Sequence, residues 1–501
     1  TLDPQTLSQA PTNTLAGAVM SRPFRYKTGA DPSTITNHDV EPDLAASAES
    51  PDAITWTIKL RPGATFHNVS PVNGHAVEAE DVKATYLRAL KLPNNPNRGA
   101  LGMIDPDQIQ TPDKSTVVFK LNYPYAPFRG ILASPAYSWI FPREALAGSY
   151  EPAKTMIGSG PFLVDSVTPD VEFSVKKNTS WFESGRPYVT GIRFAVIPTQ
   201  AQQEAQITSG HLDDAQIGQN DLDMMTRSNP NAALIKIPPS TGANIYTQQG
   251  DPTSVFMDVR VRRALSMAFD RESLAKAVFN NQYVNSLFVP TFLGKWSLKM
   301  EQLDARVSGY YKYDPTEAKM MLRNAGVTNQ SFKFAFTISS NSSADPGRNN
   351  TAETLNSMIN AIGFKTTPTP IDFAKDYIDS GKGYRQGFYP KDTIVYGNSQ
   401  AFTEVDDFVF GYFHSKSTQN QVRVSDPSLD AMIDKARTIV DEDARLKAYL
   451  DIQKYVADKA YIIPVGWGLG FWMVQPRVQN YQQGSTAGVA VETYAKVWLK
   501  A

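Results

Sequence analysis

The stretch that decides the fold is Thr55-Trp56-Thr57-Ile58-Lys59-Leu60-Arg61-Pro62-Gly63-Ala64-Thr65-Phe66-His67. Apolar residues occupy every second position from Trp56 to Leu60, which predicts a half-buried β-strand. The segment from Val117 to Leu121 repeats this alternation, and the intervening segment from Asp81 to Leu90 carries apolar residues at helical spacing. The first third of the chain is therefore predicted to be rich in strands, with a helix between them.

Helices become more frequent after Gln249, and this shift in composition predicts a second lobe. Residues 314–326 carry the start and stop signals of one helix, with an N-cap aspartate, a first-turn proline, a third-position glutamate and a closing glycine. Asp441 to Lys459 predicts another helix, because its acids stand at the start, where they favour the helix dipole. Asp270 is placed to cap a third helix.

Length and charge limit the classes of protein that this chain can belong to. Its 501 residues favour two large lobes or three units with separate cores. Lysine plus arginine number 49 and aspartate plus glutamate number 50, so no long-range field favours nucleic acid or an anionic membrane. We expect the densest basic cluster, Arg260, Arg262 and Arg263, to be the solvated face of an amphipathic helix. Cysteine is absent, which excludes disulfides and thiolate chemistry.

One charge-free segment, Ala460 to Pro476, approaches the length of a membrane span, which is about 17 to 25 residues. Its residues from Val465 to Met473 alternate with the period of a strand, so we predict a buried strand there and no membrane anchor. The chain opens at Thr1 without an initiator methionine or an apolar leader, which is the pattern of a mature exported protein or of a trimmed chain.

The motifs of common enzymes are weak or missing. The nearest approach to a nucleophile elbow, residues 397–401, lacks the closing glycine. The five histidines show no metalloprotease spacing, and Gly158-Ser159-Gly160-Pro161 is too short for a phosphate loop, so no metal or other cofactor is predicted. Adjacent acids such as Asp406 and Asp407 tend to point apart, which argues against a glycosidase pair.

Several blocks, taken in order, resemble family 5 extracellular solute-binding proteins, the group that contains oligopeptide, dipeptide, nickel and some oligosaccharide receptors of ABC importers. The likeness spans nearly the whole chain, and residues 55–67 are its most specific part. The other blocks are Leu2-Asp3-Pro4, 42–49, 79–82, 158–162, 178–181, 258–272, 313–326 and Ile462-Ile463-Pro464.

The resemblance implies an α/β, two-lobed periplasmic-binding-protein fold, class II-like, with an extra subdomain inserted in lobe 1. Mapped onto this sequence, lobe 1 is expected at 1–38, 158–247 and 466–501, the inserted subdomain at 39–157 and lobe 2 at 248–465. Function in such proteins is closure of the lobes around a ligand by a hinge motion, with no covalent step.

The same resemblance implies the partners and the location of the protein. We expect a non-enzymatic receptor that delivers a small-molecule or peptide ligand to the membrane subunits of an ABC importer. It is expected to be a monomer that binds no nucleic acid, in the periplasm or on the outer face of the cytoplasmic membrane. A lipid anchor through a removed N-terminal segment is part of this expectation.

The ligand site departs from the pattern of the peptide receptors. Those receptors have an aspartate in the second lobe that pairs with the peptide amino group, whereas the corresponding segment here, 395–404, has small or amide residues at that position. Glu404 is predicted first of all to cap a helix. A neutral polar ligand such as an oligosaccharide would suit the amides and aromatic rings of this segment, and an oligopeptide is the alternative. The candidate ligand-binding residues are Tyr26, Trp139, Asn244, Tyr246, Gln248, Arg385, Tyr396, Asn398, Gln400, Phe402, Glu404 and Trp467.

Two hypotheses from other classes stay open at this point. Carboxylates that are distant in sequence could meet in a secreted glycoside hydrolase, which would also use the aromatic residues. A peptide-handling chaperone of the same fold would bind unfolded chains without a closed state. A receptor would differ from the hydrolase in shifting its melting temperature on binding without consuming the ligand.

Overall fold

The structure is a computed structural model, and it describes most of the chain. The described residues are 1–7, 10–27, 40–93, 95, 97–239, 242–284, 286–338, 346–378, 382–399, 402–483 and 491–500.

Strands dominate the described residues before residue 240, and α-helices lie between them. The strands are β1 Phe24–Tyr26, β2 Val40–Pro42, β3 Ala45–Glu49, β4 Thr55–Leu60, β5 Ile104–Asp113, β6 Thr116–Leu121, β7 Phe162–Thr168, β8 Glu172–Lys177, β9 Gly191–Ala195, β10 Asp214–Gln216 and β11 Ala233–Ile237. The helices are α1 Ala10–Val19, α2 Ala79–Lys91, α3 Phe128–Ala133, α4 Gln200–Thr208 and α5 Leu222–Ser228.

The part of the chain after residue 241 contains more helix. Its strands are β12 Ala243–Thr247, β13 Tyr283–Val284, β14 Ser331–Ile338, β15 Lys365–Asp372, β16 Thr393–Asn398, β17 Ile463–Gly468, β18 Gly470–Val474, β19 Val478–Gln479 and β20 Trp498–Leu499. Its helices are α6 Val259–Met267, α7 Arg271–Phe279, α8 Ala305–Gly309, α9 Pro315–Asn324, α10 Pro346–Ala361, α11 Val405–Phe413, α12 Pro427–Thr438 and α13 Glu442–Lys459.

The alternating stretch that opens the sequence analysis forms β4, as predicted. It pairs antiparallel with β3 and β6 in a four-stranded sheet of order β3-β4-β6-β5. Trp56, Ile58 and Leu60 are buried and join a core that draws its residues from 24–157. The predicted helix between these strands is α2, which packs on β5 and β6.

A six-stranded sheet of order β13-β17-β12-β16-β14-β15 organises the second half. Because successive side chains of a strand point to opposite faces, Tyr246 joins the core on one face and Ile245 joins the core on the other. The sheet is thus covered on both sides, which is how sheets with parallel strands such as β14, β15 and β16 are usually buried.

The chain crosses twice between this sheet and the sheets of the first half. β11 pairs with β18 in a three-stranded sheet, whereas the next strand, β12, already belongs to the six-stranded sheet. On the return, β17 ends in the six-stranded sheet at Gly468, and β18 begins in the three-stranded sheet at Gly470. One connection therefore runs from the end of β11 at Ile237 to the start of β12 at Ala243, and the other is Leu469.

The predicted helix caps are confirmed. The Asp314 carboxylate accepts a hydrogen bond from the Glu317 backbone N–H at 2.9 Å, and Gly326, just past the end of α9, has a φ of 71°. Asp270 caps α7 by accepting from the Ser273 N–H at 3.0 Å. Asp441 caps α13 in the same way, through the Ala444 N–H at 2.9 Å.

Two expectations about the second half are wrong. The charge-free segment is not one strand, because it bends at Leu469 and its two pieces pair in different sheets. Arg262 is not solvated, because its guanidinium is buried and donates to the Phe256, Met257 and Lys459 carbonyls. No helix among the described residues is both long and apolar enough to span a bilayer.

Candidate functional site

A loop and a helix of the first half meet the start of α11 in the second half. The Tyr26 hydroxyl approaches the Thr403 carbonyl at 3.5 Å, and the Thr403 hydroxyl lies 3.2 Å from the Ser134 hydroxyl. The Tyr137 hydroxyl donates to the Asp407 carboxylate at 3.3 Å. We call the contact made by these residues together with Gly130 and Glu404 the cross-lobe contact.

Glu404 begins α11 and supplies a carboxylate to the cross-lobe contact. Its Oε1 accepts a hydrogen bond from the Val405 N–H at 3.1 Å, so the predicted helix capping is confirmed. No lysine, arginine or histidine nitrogen of the described residues lies within 4 Å of this carboxylate. Burial, reinforced by Asp406, raises the pKa of Glu404 to about 7.

The two acids that follow differ in their partners. Asp406 is buried, accepts a hydrogen bond from the Tyr449 hydroxyl at 2.9 Å and forms an ion pair with Arg437 at 3.1 Å. Asp407 keeps part of its surface exposed and, within the described part of the chain, has no cation within 4 Å. Burial and the neighbouring Asp406 hold the pKa of Asp407 well above its ordinary value.

Arg437 also reaches across to the first half of the molecule. Its carbonyl accepts a hydrogen bond from the Ala126 N–H at 2.8 Å, and its guanidinium donates to the Tyr123 hydroxyl at 3.3 Å. The same guanidinium lies over the Phe410 ring at 4.1 Å. Arg437 thus pairs directly with Asp406. Glu404 and Asp407 have no ion-pair partner within 4 Å among the described residues, and the positive charges of Arg445 and Arg437 act on them only from a greater distance.

Arg385 is a cation that has no ion-pair partner among the described residues. It lies in a short 3-10 helix, Tyr384–Gln386, in the connection between β15 and β16. Its Nε is buried with no hydrogen-bond partner, and no carboxylate of the described residues lies within 4 Å of its guanidinium. Tyr246, at the centre of the six-stranded sheet, is close enough to Arg385 for the positive charge to act on its hydroxyl.

Comparison with known proteins identifies the family. The sequence matches the bacterial extracellular solute-binding proteins, family 5, over residues 39–420. The chain belongs to this family. Its fold matches that of a solved periplasmic binding protein, AgaA from A. tumefaciens R10 in complex with agropinic acid, with a TM-score of 0.79 and 23% identity over 100% of this chain and 96% of that one.

Two curated relatives extend over almost the full length of this solute-binding protein. Heme-binding protein A of Haemophilus influenzae is 27% identical, covering 94% of this chain and 85% of the relative. The probable di/tripeptide-binding protein 5 of Pseudomonas aeruginosa is 25% identical, covering 94% and 88%. The predicted two-lobed fold and the family are thereby confirmed.

The structure gives several predicted site residues structural roles. The Gln248 amide donates to the Gly387 and Tyr389 carbonyls, both at 3.0 Å, and accepts from the Gly250 N–H at 2.9 Å. Both its nitrogen and its oxygen are therefore hydrogen-bonded to backbone. Tyr396 is buried in the core on the face of the sheet opposite Tyr246, stacked on Phe334. These arrangements favour packing over ligand contact.

The remaining aromatic candidates also pack against protein. Trp139 is buried in a core that it shares with Leu15 and Phe141, and the Arg22 guanidinium lies 4.2 Å from its ring. Phe402 makes an edge-to-face contact with Phe408 at 5.2 Å. Trp467 is in β17, but its side chain lies outside the described residues, as does the whole of Gln400.

Asn244 and Asn398 lie where the six-stranded sheet meets the connection from β11 to β12. The Asn244 amide donates to the Gly242 carbonyl at 3.0 Å and to the Tyr246 hydroxyl at 3.2 Å, which leaves its Oδ1 buried without a partner among the described residues. The Asn398 carbonyl accepts from the Tyr377 hydroxyl at 3.2 Å. The Ser399 hydroxyl accepts a hydrogen bond from the Gly242 N–H at 2.9 Å. This hydroxyl belongs to the segment 395–404, where the peptide receptors have their acid, and it is engaged with backbone.

A separate cluster of His75, Asp81 and Glu144 could offer ligands to a metal ion, since its atoms lie within 4.8 Å of one another. Asp81, however, already accepts from the Glu78 N–H at 2.8 Å and from the Arg143 N–H at 3.0 Å. The Arg143 guanidinium lies 3.5 Å from the same carboxylate and supplies the positive charge. The contacts of this cluster therefore hold the start of α2 in place.

Sequence reasoning missed Asp407, Tyr137, Ser134 and Thr403. A usable signal was present in residues 404–410, where three acids stand at the start of an otherwise apolar helix. Acids within such a helix must be buried or lie at an interface. In either position, the residues that contact them are candidates for a functional site.

Proposed function

We propose that this solute-binding protein captures a small zwitterionic solute, such as a short peptide or an amino-acid derivative, between its two lobes. The observation that carries the proposal is the pair of carboxylates, Glu404 and Asp407, held at the cross-lobe contact with no described cation within 4 Å. Burying acids without a counter-charge is costly, and a ligand ammonium group would remove that cost. Both residues keep part of their surface exposed, so such a group could reach them.

Arg385 and Asn244 supply the other end of the proposed site. The guanidinium of Arg385 suits a ligand carboxylate, because it can donate two parallel hydrogen bonds. The unpartnered Oδ1 of Asn244 can accept a ligand amide N–H. A solute with an ammonium at one end and a carboxylate at the other would thus satisfy the groups that the protein leaves unpaired.

Related proteins support this class of ligand. The relative in Pseudomonas aeruginosa is named for di- and tripeptides, and AgaA was solved with agropinic acid. The relative in Haemophilus influenzae is named for heme. The neutral oligosaccharide of the sequence prediction has less support, because Ser399 is engaged with Gly242 and the amide of Gln400 is outside the described residues.

Closure of the lobes would take place about the two crossing segments. The sequence prediction divides the lobes at 247/248 and 465/466, whereas strand pairing favours the connection from β11 to β12 and Leu469 as the hinge. Tyr26, Ser134 and Tyr137 contact residues at the start of α11 in the structure, so opening about this hinge would separate them. Delivery to ABC importer membrane subunits follows from the family, while the monomeric state and a lipid anchor stay predictions.

The test is calorimetric titration with trialanine and with N-acetyl-trialanine, which lacks the ammonium group. We expect trialanine to bind at least about tenfold more tightly, since a charge-assisted hydrogen bond is lost on acetylation. Glu404→Gln should remove most of that difference. The matched control is Asp443→Asn, which changes an exposed acid at the start of α13 and should bind like the wild type.

Equal binding of the two peptides by the wild type would contradict the proposal, and so would binding of neutral oligosaccharides in preference to both. Release of free alanine during the titration would instead favour a hydrolase.

A further inference from the structure

A cavity of about 540 Å³ lies in the first half of the molecule, away from the cross-lobe contact. It is bounded by β9, β10 and the C-terminal segment that carries β19 and β20. Cavities that hold small organic ligands usually measure about 300 to 1,000 Å³. The size of this cavity is therefore that of a ligand site.

The cavity arises from the way in which two sheets meet. β9 is the edge strand of the sheet β7-β8-β9, and β10 is an edge strand of the sheet β10-β18-β11. Along β18, the neighbouring Phe471 and Met473 side chains are buried in the core on one face, and the alternation of the strand turns Trp472 to the other face, where it lines the cavity. The space is thus walled by ordered strands on two sides.

Aromatic rings form much of the wall. The Phe194 and Tyr494 ring centroids are 5.9 Å apart, and the Tyr494 and Tyr481 centroids are 6.0 Å apart. Trp472 lines the same space. Rings arranged in this way attract flat apolar groups, and their faces attract cations.

Asp214 places one carboxylate among these rings. It accepts a hydrogen bond from the Tyr481 hydroxyl at 2.8 Å, and the Trp472 side chain lines the same cavity. The neutral hydroxyl orients the carboxylate but does not balance its charge, and no cation of the described residues lies within 4 Å. Its side chain keeps part of its surface exposed.

The other charged groups of the cavity are already paired. Arg477 contacts Asp213 at 2.6 Å, and Arg193 contacts Glu172 at 3.3 Å. His211 lies close to the Ser209 hydroxyl, at 2.7 Å. Asp214 is thus the carboxylate of the cavity whose charge is left for a ligand.

We propose that this cavity is a second ligand site, which binds a small organic cation with an aromatic body, that is, an arylalkylamine. The ammonium group would bind Asp214, and the aromatic group would pack between Trp472, Phe194 and Tyr494. The site is independent of the ligand captured between the lobes, because none of these residues belongs to the cross-lobe contact.

The experiment is calorimetric titration of the full chain with 2-phenylethylamine, and with the neutral 2-phenylethanol as the matched probe. We expect saturable binding of the amine, and binding of the alcohol at least about tenfold weaker. Asp214→Asn should weaken amine binding by a similar factor. Glu404→Gln, which alters the cross-lobe contact, and Asp223→Asn, which alters an exposed acid on α5, should leave it unchanged.

A melting curve and a titration with trialanine show whether Asp214→Asn is folded and still active in the cleft. The proposal is overturned if the wild type shows no saturable binding of the amine. It is also overturned if Glu404→Gln abolishes the binding while Asp214→Asn keeps it, because the amine would then occupy the cleft between the lobes.

Discussion

Glu404 shows how one side chain can combine a structural and a functional role. Its carboxylate caps α11, yet it lies at the cross-lobe contact with no described cation within 4 Å. Because burial raises its pKa from 4.5 to about 7, folding favours the protonated form. Stability linked to this residue is therefore fully present below pH 4.5 and is lost as the pH rises through about 7.

We predict that Glu404→Gln raises the free energy of unfolding at pH 8 by about 1–2 kcal/mol, and changes it little at pH 4. The amide keeps the shape of the side chain and its acceptor for the Val405 N–H, while it removes the buried charge. Urea unfolding of the unliganded protein at the two pH values measures the effect.

Asp443→Asn provides the control for this measurement, because that acid is exposed on α13. A Glu404→Gln variant that is equally or less stable than the wild type at pH 8 would show that the carboxylate has a favourable partner in the unliganded protein.

The sequence alone predicted the part of this site that depends on neighbouring residues. The N-cap role of Glu404 follows from the residues next to it. The contacts of Tyr137 with Asp407 and of Ser134 with Thr403 join residues about 270 positions apart, so no local pattern could reveal them. Likewise, Gln248 was predicted to contact the ligand, but no local pattern could show that its amide donates to the Gly387 carbonyl.

At the scale of elements, the motif Gly158-Ser159-Gly160-Pro161 fixes the end of α1. A Cβ atom on Gly158 would come within 2.3 Å of the Val19 carbonyl oxygen and 2.7 Å of the Met20 Cα. Both are backbone atoms, so no side-chain rotation can relieve the overlap. The glycine is required for close approach of two segments, and this accounts for a motif that is too short to bind phosphate.

We predict that Gly158→Ala lowers the free energy of unfolding by about 1–3 kcal/mol, because α1 must move away from the motif. Thermal unfolding measures the change. Gly99→Ala is the matched control, since a Cβ there meets no atom within 4 Å. Equal melting temperatures for the two variants would disprove the close approach.

The elements predicted best are those with local signals at their ends. α9 and α13 have caps that are explicit in the sequence, and both form with those caps. The segment 460–476 was predicted less well. Its strand period is correct, but its division at Leu469 depends on pairing with two different sheets, whose other strands lie far away in the sequence. Arg262 was predicted wrongly because its partners include a carbonyl on the distant α13.

For the whole molecule, the central question is whether the lobes separate at the cross-lobe contact. The Ser134 and Thr403 hydroxyls are 3.2 Å apart, and the chain has no cysteine of its own. We predict that the double variant Ser134→Cys, Thr403→Cys forms a disulfide that locks the lobes together. The oxidised protein should exchange trialanine at least about tenfold more slowly than the reduced protein, as expected when opening precedes release.

Each single cysteine variant serves as a control and should exchange ligand normally with and without reductant. A disulfide that forms without slowing exchange would show that ligand enters by another route.

The overall architecture was accessible from sequence because ordered blocks along the chain resemble one family, and the match over residues 39–420 confirms it. The choice of ligand was not accessible in the same way. We infer that it depends on Glu404, Asp407 and Arg385, whose charges have no ion-pair partner within 4 Å among the described residues, and ion pairing is a property of the folded chain.

The most direct test is native mass spectrometry of the protein after incubation with an equimolar pool of di- and tripeptides and neutral oligosaccharides. We predict one retained peptide per chain, which is recovered with unchanged mass after denaturation and is absent from Glu404→Gln. Retention of an oligosaccharide in place of a peptide, or recovery of a cleaved product, would contradict it.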